Sequence, residues 1–294
     1  MKTPVFTGSC TALVTPFTED SVDLVKLGEL IDTQIQAGIS ALVICGTTGE
    51  ASTQSIDEHK QTVDYAVKRA AGRVPVIAGT GANCTAEALE LSQAAERSGA
   101  DALLVVTPYY NRCSQTGLIK HFTYIADRVS IPVILYNVPS RTSLSFNQNT
   151  YYELSKHERI NGVKEASGDF SLIARTRCLC GDELNIWSGN DGDTIPIMSL
   201  GGKGVISTSG NVIPKEITDM CKLFAAGKIE DSVNLFLKYL PLMDALFIDV
   251  NPIPVKTALS LMGRCSGRLR MPLCEMDAAK TEKLKAVMKD TGLL

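Results

Sequence analysis

The sequence predicts an α/β fold, a (β/α)8 TIM barrel followed by a C-terminal helical extension. Eight short apolar, β-branched runs recur roughly 20–34 residues apart, which is the length of one strand–helix unit. These runs lack strict apolar–polar alternation, as expected for strands that are buried on both faces. No glycine-rich turn follows the first run, although a doubly wound open sheet usually has one. A closed barrel of about 250 residues therefore fits better, with room for an extension.

The predicted strands follow one another through the first two-thirds of the chain. In order, they are Cys10–Val14, Ala41–Cys45, Pro75–Ala78, Ala102–Val106, Pro132–Tyr136, Gly162–Lys164, Asn185–Trp187 and Gly204–Ser207. Helix signals lie between them. Ser55 and Glu58 have the spacing of a capping box, and Thr85 opens an alanine- and glutamate-rich helix that ends near Gly99.

The pattern changes after about Ala226, where only helical periodicity remains. Three helices are predicted there, over Ile229–Phe247, Val255–Met262 and Asp277–Lys289. No linker or low-complexity segment separates them from the strands. We therefore predict a catalytic barrel over 1–226 and a helical extension over 227–294.

Composition excludes several classes of protein. The chain has 29 Lys and Arg against 32 Asp and Glu, a net charge of −3, which gives no electrostatic footprint for nucleic acid or an anionic membrane. No apolar run approaches the roughly 18–20 residues that span a bilayer, and no secretory signal is visible. The nine cysteines include no CxxC pair, and Cys178 and Cys180 have poor spacing for zinc. We therefore expect reduced thiols, no metal site and a cytoplasmic location.

Familiar catalytic motifs are missing. The three histidines, His59, His121 and His157, lie in no context that suggests a catalytic triad or a zinc site. HExxH, the P-loop and GxGxxG do not occur, and Gly79–Gly81 is too short for a dinucleotide loop. The glycines at 201–204 precede strand eight, so we interpret them as a turn on the rim opposite the active site.

In a TIM barrel the active site lies at the carboxyl ends of the strands. After strand two, the segment Gly46–Glu50 combines two glycines with the hydroxyls of Thr47 and Thr48. Such a loop can offer hydroxyl and backbone N–H donors to a small carboxylate. The alternative is an ordinary polar strand–helix turn capped by threonine.

Strand six ends in Lys164. A lysine there either extends to the surface or lies desolvated in the barrel mouth, where loss of hydration disfavours its charged form and leaves an amine able to form a Schiff base. The small residues on either side favour the second arrangement, because they leave room for a substrate.

Strands five and four end in further polar and aromatic residues. Tyr136 would direct its phenol at the barrel mouth and could transfer a proton, while Arg141 could hold a carboxylate through two parallel hydrogen bonds. The alternatives are a packed tyrosine and a salt bridge at the rim. Tyr109 and Tyr110 follow strand four, where they could contact substrate or a subunit interface.

These segments resemble the dihydrodipicolinate synthase family. The similarity lies in GTTGE at 46–50, TPYYN at 107–111, YNVPSRT at 136–142, GVKEASGD at 162–169 and GVISTSGN at 204–211, in the family's order and spacing. GTTGE and the strand-six lysine are shared by the wider superfamily of pyruvate-dependent class I lyases and aldolases, which includes N-acetylneuraminate lyase. TPYYN and the arginine of YNVPSRT are typical of the narrower family.

The resemblance implies condensation of pyruvate with L-aspartate 4-semialdehyde. Lys164 matches the Schiff-base lysine, and Thr47, Tyr136 and Tyr110 match the proton relay, with Tyr110 reaching in from a neighbouring subunit. No metal or organic cofactor is implied, because the lysine imine is itself the electron sink. The family also implies a homotetramer built from two dimers.

The resemblance also implies which residues bind the substrates and an inhibitor. Thr48 and the main chain at Ile206 match the site for the pyruvate carboxylate, and Arg141 matches the residue that holds the semialdehyde carboxylate. Feedback by L-lysine at a subunit interface is implied by Ser52, His59, Asn83, Glu87 and Tyr109. Ile56 departs from the family pattern, which often has a polar residue there, so weaker binding of lysine is expected.

Two other functions remain open from the sequence. A sugar-acid aldolase such as N-acetylneuraminate lyase would share Lys164 but would not need Arg141 for a semialdehyde carboxylate. A catalytically inactive barrel that only binds a small carboxylate is a second alternative, although a decayed site usually loses its nucleophile.

Overall fold

Eight parallel strands close into a barrel in the computed structural model, which describes all 294 residues. Each strand pairs with the next in sequence, and β8 pairs with β1 from Gly8 opposite Gly204 onward. The strands are β1 Gly8–Ala12, β2 Ala41–Ile44, β3 Val76–Gly79, β4 Ala102–Val106, β5 Val133–Asn137, β6 Ile160–Glu165, β7 Asn185–Ser188 and β8 Gly204–Ser207. The predicted (β/α)8 barrel is therefore confirmed.

Twelve α-helices surround the barrel or follow it. They are α1 Leu24–Gln36, α2 Ile56–Ala70, α3 Thr85–Arg97, α4 Gln115–Ala126, α5 Pro139–Thr142, α6 Gln148–Ser155, α7 Phe170–Cys180, α8 Thr194–Ser199, α9 Pro214–Ala225, α10 Ile229–Ala245, α11 Ile253–Leu261 and α12 Ala278–Asp290. The predicted capping box is present at α2, because the Ser55 hydroxyl accepts from the Glu58 amide and the Glu58 carboxylate accepts from the Ser55 amide.

Two apolar layers hold these elements together. A large cluster fills the space between strands and helices, and a smaller one fills the barrel interior. Within the interior, Phe6 and Trp187 stack with ring centroids 5.0 Å apart, and the Trp187 indole donates to the Phe6 carbonyl. Gly162 makes room for this indole, since a Cβ there would lie 2.6 Å from it. These rings fill one end of the barrel and leave the other for polar groups.

All eight predicted strands overlap observed ones, but several ends were wrong by one or two residues. The clearest case is β1, predicted from Cys10 and observed from Gly8. The apolar pattern did not predict the start of β1 because the polar residue Ser9 is buried there. The Ser9 hydroxyl lies 2.8 Å from that of Thr218 on α9. A satisfied polar residue inside a strand gives no hydrophobic signal.

The C-terminal segment, residues 227–294, contains α10 to α12 and packs on the barrel through α9. Its three helices coincide with the predicted ones to within two residues. None of the helices in the structure is both long and apolar enough to cross a membrane. The division at 226/227 into barrel and extension stays a prediction.

Candidate active site

A cavity of about 370 Å³ opens at the carboxyl ends of β2 to β5. Its walls include the predicted catalytic and substrate-binding side chains Thr47, Tyr136 and Arg141. The same cavity continues to four of the five residues predicted to bind lysine, Ser52, His59, Glu87 and Tyr109. The two predicted sites are thus neighbouring parts of one space.

Lys164 lies inside the barrel mouth rather than at the surface. Its side chain is 5% exposed, and its ammonium lies 4.5 Å from the centroid of the Tyr136 ring. The ammonium makes no hydrogen bond or ion pair with any other residue. Gly189 provides the space beside it, because a Cβ there would lie 3.1 Å from the Lys164 Cγ. A buried amine without a counter-ion is the chemical feature that imine formation requires.

Thr47 and Thr48 lie on a tight turn, residues 45–50, that we call the threonine loop. Cys45 and Glu50 adopt left-handed backbone conformations at its two ends, with φ of 55° and 52°. The Glu50 amide donates to the Thr47 carbonyl across 3.1 Å and closes the turn. Thr48 is buried, and its hydroxyl accepts from the Asn251 side chain at 3.0 Å. Both hydroxyls are therefore held by a defined backbone.

Arg141 projects from the short helix α5 at the rim of the cavity. It forms no ion pair within this chain. Its one contact is a hydrogen bond of 3.1 Å to the Asn251 carbonyl. The guanidinium keeps most of its donors free for an incoming carboxylate.

Asn251 is a site residue that the sequence analysis missed. It lies in the turn between α10 and α11 and connects Thr48 with Arg141 through its side chain and its carbonyl. Its Oδ1 is buried without a hydrogen-bond partner. Asn251 ends no strand, and its only sequence signal is an Asn-Pro turn between helices.

Glu165 supports the lysine from outside the barrel. Its buried carboxylate accepts from the Tyr151 hydroxyl at 2.6 Å, from the Asn137 amide group at 3.0 Å and from the Ser167 backbone at 2.9 Å. Burial raises the pKa of this carboxyl above its ordinary value. Because Glu165 directly follows Lys164, this network fixes the end of β6 from which the lysine projects.

Five of the predicted residues are not among those that line the cavity, namely Thr48, Asn83, Tyr110, Lys164 and Ile206. Ile206 is buried on β8, beside Cys10 of β1. Tyr110 points away from its own barrel, with its side chain 92% exposed and its φ at 67°. The structure therefore brings Thr47 and Tyr136 to one cavity and Lys164 to the ring of Tyr136, but it does not bring Tyr110 to them.

The part of the cavity predicted to bind lysine contains one histidine and one carboxylate. His59 donates from Nε2 to the Gly79 carbonyl at 2.8 Å, and burial lowers the pKa of its imidazole. Burial first, and the nearby Glu87 second, raise the pKa of the Tyr109 phenol. Asn83 lies beside this region at the start of α3, and exposed Ile56 begins α2.

Metal ligands are not grouped in this structure. No set of three or more His, Cys, Asp or Glu side chains is placed to hold an ion, and all nine cysteines are free thiols.

A parallel barrel with a buried, unpaired lysine at its strand ends is the architecture of a class I lyase or aldolase. Comparison with known families narrows this class. The model of the dihydrodipicolinate synthetase family matches residues 5–291, and the chain belongs to that family.

Curated and solved relatives agree over nearly the full length. The 4-hydroxy-tetrahydrodipicolinate synthase of Thermoanaerobacter pseudethanolicus is 54% identical over 292 residues, 99% of this chain and 98% of the relative. The lysine-bound dihydrodipicolinate synthase of Cyanidioschyzon merolae has a TM-score of 0.96 at 36% identity, covering 99% of this chain and all of that one. A dihydrodipicolinate synthase variant described as monomeric also has a TM-score of 0.96, at 40% identity over 99% of this chain and 98% of the variant.

Proposed function

We propose that this chain condenses pyruvate with L-aspartate 4-semialdehyde to give 4-hydroxy-tetrahydrodipicolinate, a step in lysine and diaminopimelate biosynthesis. The observation that carries the proposal is the buried, unpaired ammonium of Lys164 at the mouth of a barrel of this family. The names of the curated relatives support the same reaction and do not favour a sugar-acid aldolase.

The first half of the reaction takes place on Lys164. Its amine adds to the pyruvate carbonyl, and loss of water from the carbinolamine gives an imine. The protonated imine withdraws electrons, so the pyruvate methyl group loses a proton and an enamine forms. Thr48 and the main chain at Ile206 hold the pyruvate carboxylate meanwhile. Tyr136, whose ring lies 4.5 Å from the amine, is placed to exchange the protons with Thr47.

The second half forms the carbon–carbon bond. The enamine carbon attacks the aldehyde of the semialdehyde, and the aldehyde oxygen takes up a proton from the relay. The amino group of the semialdehyde then attacks the imine carbon, closes the ring and releases Lys164 as the free amine. One water is lost per turnover, in the first imine formation. Arg141 holds the semialdehyde carboxylate at the rim, since its guanidinium has no carboxylate partner of its own.

Trapping with borohydride tests this mechanism. Incubation with pyruvate and borohydride, followed by peptide mass spectrometry, should place a reduced adduct on the peptide that contains Lys164. Lys256 is an internal control, because it is also fully buried but is paired with Glu50. An adduct on Lys256 or on any other lysine, or no adduct at all, would contradict the mechanism.

Arg141 separates the proposed reaction from that of a sugar-acid aldolase. Arg141→Ala should impair use of the semialdehyde far more than imine formation with pyruvate, because the guanidinium contacts only the second substrate. Equal loss of both activities would mean that Arg141 has only a structural role.

We also propose that L-lysine inhibits the enzyme weakly, in the part of the cavity beside the catalytic groups. Glu87 can accept the ammonium of a free lysine, and Asn83 and the Tyr109 hydroxyl can serve its other polar groups. Ile56 replaces one possible polar contact. Loss of a charge-assisted hydrogen bond of about 1.5–3 kcal/mol weakens binding by roughly ten- to a hundredfold. The relative whose structure contains bound lysine supports binding of this ligand.

Titration of lysine against the condensation tests this second proposal. We expect detectable inhibition at millimolar lysine that Glu87→Ala abolishes with little change in uninhibited turnover. Glu90→Ala, on the same helix but outside the cavity, should leave inhibition unchanged. Absence of inhibition by millimolar lysine would mean that Glu87 only favours the start of α3.

We propose in addition that the chain assembles as a homotetramer of two dimers, in which Tyr110 enters the site of a partner subunit. The exposure of Tyr110 and its left-handed backbone support this assignment, since nothing in its own chain covers the ring.

A further inference from the structure

The C-terminal segment holds the threonine loop through a fully buried ion pair that the proposed chemistry does not use. Glu50 ends the loop, and its Oε1 lies 2.7 Å from the Nζ of Lys256 on α11. Both side chains are completely inaccessible to solvent. Neither of them lines the cavity.

Hydrogen bonds on this pair connect three separate segments. The Lys256 ammonium also donates to the Thr15 carbonyl at 2.9 Å and lies 4.3 Å from the centroid of the Phe17 ring, in the connection after β1. The second oxygen of Glu50 accepts from the Arg270 amide at 3.2 Å. The pair therefore fixes the threonine loop relative to the first strand and to the C-terminal segment at once.

Arg270, which follows α11 in the C-terminal segment, provides a second contact with the residues after the threonine loop. Its guanidinium forms two hydrogen bonds with the Glu58 carboxylate, at 2.6 and 2.7 Å, and donates to the Thr53 carbonyl at 3.2 Å. It also lies 4.2 Å from the centroid of the Phe17 ring. The segment from Glu50 to Glu58 is thus held at both ends by the C-terminal segment.

The position of Glu50 decides the positions of the two threonine hydroxyls. Glu50 has a left-handed backbone, and its amide closes the turn onto the Thr47 carbonyl at 3.1 Å. A rotation or shift of Glu50 must therefore move Thr47 and Thr48. Non-glycine residues keep such a conformation only where their surroundings hold it.

Stability alone does not account for the pair. Removal of two charges from water costs free energy, and the attraction between the charges does little more than offset this cost. A pair of apolar residues of similar volume often stabilises the folded state as much as a buried ion pair does, or more. The directional bonds of a buried pair, in contrast, specify one arrangement of the segments that carry it. This arrangement includes the loop on which proton transfer depends.

We propose that Lys256 and Arg270 are positioning residues that fix the threonine loop for proton transfer. The proposal rests on the proposed function. It predicts that loss of these contacts lowers kcat and raises the pyruvate concentration needed for imine formation, because Thr47 and Thr48 lie on the loop. The imine still forms at saturating pyruvate, because Lys164 projects from β6.

The main experiment uses the double variant Lys256→Met/Glu50→Leu, which replaces the pair by apolar groups of similar volume. We expect a lower Tm but a folded protein, because the Thr15 carbonyl and the Arg270 amide lose their partners. We also expect at least a tenfold lower kcat and an unchanged fraction of borohydride-trapped adduct at saturating pyruvate. Lys285→Met is the control, because it removes an ion pair with Glu282 on α12 and should leave kcat unchanged. A stable double variant with full kcat would overturn the proposal.

Arg270→Met provides a second variant, since its side chain is partly exposed and its loss leaves the buried pair intact. Here we expect faster amide hydrogen exchange over residues 46–58, unchanged exchange in α12, and a two- to fivefold lower kcat. Unchanged exchange and unchanged kcat would overturn the role of Arg270. If the parent protein itself forms no product, the proposed function fails. The exchange data still decide whether these contacts hold the loop.

Discussion

Two buried lysines in this chain have opposite surroundings, and the difference decides what each can do. Lys256 is surrounded by a carboxylate, a carbonyl and an aromatic ring, so its ammonium is satisfied. Lys164 has only the face of Tyr136 within reach and no counter-ion. The Lys164 amine is therefore available to a substrate carbonyl, whereas the Lys256 ammonium is committed to its partners.

Gly189 gives a test of how tightly Lys164 is placed. A Cβ at this position would lie 2.8 Å from the Ala166 Cβ and 3.1 Å from the Lys164 Cγ, so Gly189→Ala must shift Ala166 and crowd the lysine by a few tenths of an ångström. Misplacement of a reacting group by about 1 Å can cost roughly a hundredfold in rate, so this smaller shift should lower kcat by about tenfold and slow adduct trapping. Gly192→Ala is the matched control, because its Cβ would meet only Leu240 at 4.0 Å. Equal kcat values for the two variants would contradict the prediction.

Individual residues differ in how far the sequence predicts them. Lys164 and Tyr136 were predicted to lie at the mouth because each ends an apolar strand, where position and side-chain direction follow from the fold. Lys256 could not be predicted to be buried, because a lysine in a helical pattern normally marks a solvated face. Its partner Glu50 is 206 residues away in sequence, and only the folded chain brings the two together.

Helix α2 also shows that the local sequence does not predict contacts between distant segments. Its capping box was predicted from Ser55 and Glu58, and the structure confirms it. The second role of Glu58, as the partner of Arg270, has no local signal. Strand ends were missed for a related reason, since pairing across the barrel and not hydrophobicity alone decides where a strand begins.

The pairing of Glu58 with Arg270 leads to a prediction about how stability depends on pH. The Arg270 guanidinium lowers the pKa of Glu58 from its ordinary 4.5 to about 2. The charged form is favoured in the folded state, so the pair stabilises the protein above pH 4.5, and this contribution is lost as the pH falls towards about 2. Glu58→Gln should therefore lower Tm at neutral pH and make Tm less dependent on pH over that window. Thermal unfolding followed at several pH values measures both effects.

A surface carboxylate serves as the comparison. Glu90 pairs with Lys60 across 2.7 Å, and exposed pairs of this kind contribute little. Glu90→Gln should give a Tm–pH curve parallel to that of the parent protein. If Glu58→Gln also gives a parallel curve, Arg270 does not stabilise the charged carboxylate.

At the scale of the whole molecule, the barrel was predictable and the proposed role of a partner subunit was not. Repeating strand–helix units specify a closed fold within one chain. The sequence does not distinguish an aromatic side chain that stays in solvent from one that another subunit covers. The family resemblance was the only basis for placing Tyr110 in the relay, and one relative of the same fold is described as monomeric.

Complementation between subunits tests the role of Tyr110. Tyr110→Phe and Lys164→Met should each be nearly inactive alone, since loss of a general acid–base group costs roughly 10²–10⁴ in rate and loss of the amine removes the imine. In a mixed dimer, the subunit that keeps Lys164 would receive an intact Tyr110 from its partner. One of its two sites is then complete, so random mixing should restore about a quarter of full activity per subunit.

A control mixture tests whether mixing two variants restores activity without any exchange of Tyr110 between subunits. Tyr136 lies 4.5 Å, at its ring centroid, from the ammonium of Lys164 in its own chain. Tyr136→Phe mixed with Lys164→Met therefore leaves both sites of every mixed dimer incomplete, and no activity should return. If the Tyr110→Phe mixture is equally inactive although mixed dimers are shown to form, Tyr110 does not act in a neighbouring site. The relay then consists of Thr47 and Tyr136 within one chain, and the exposed ring of Tyr110 needs another explanation.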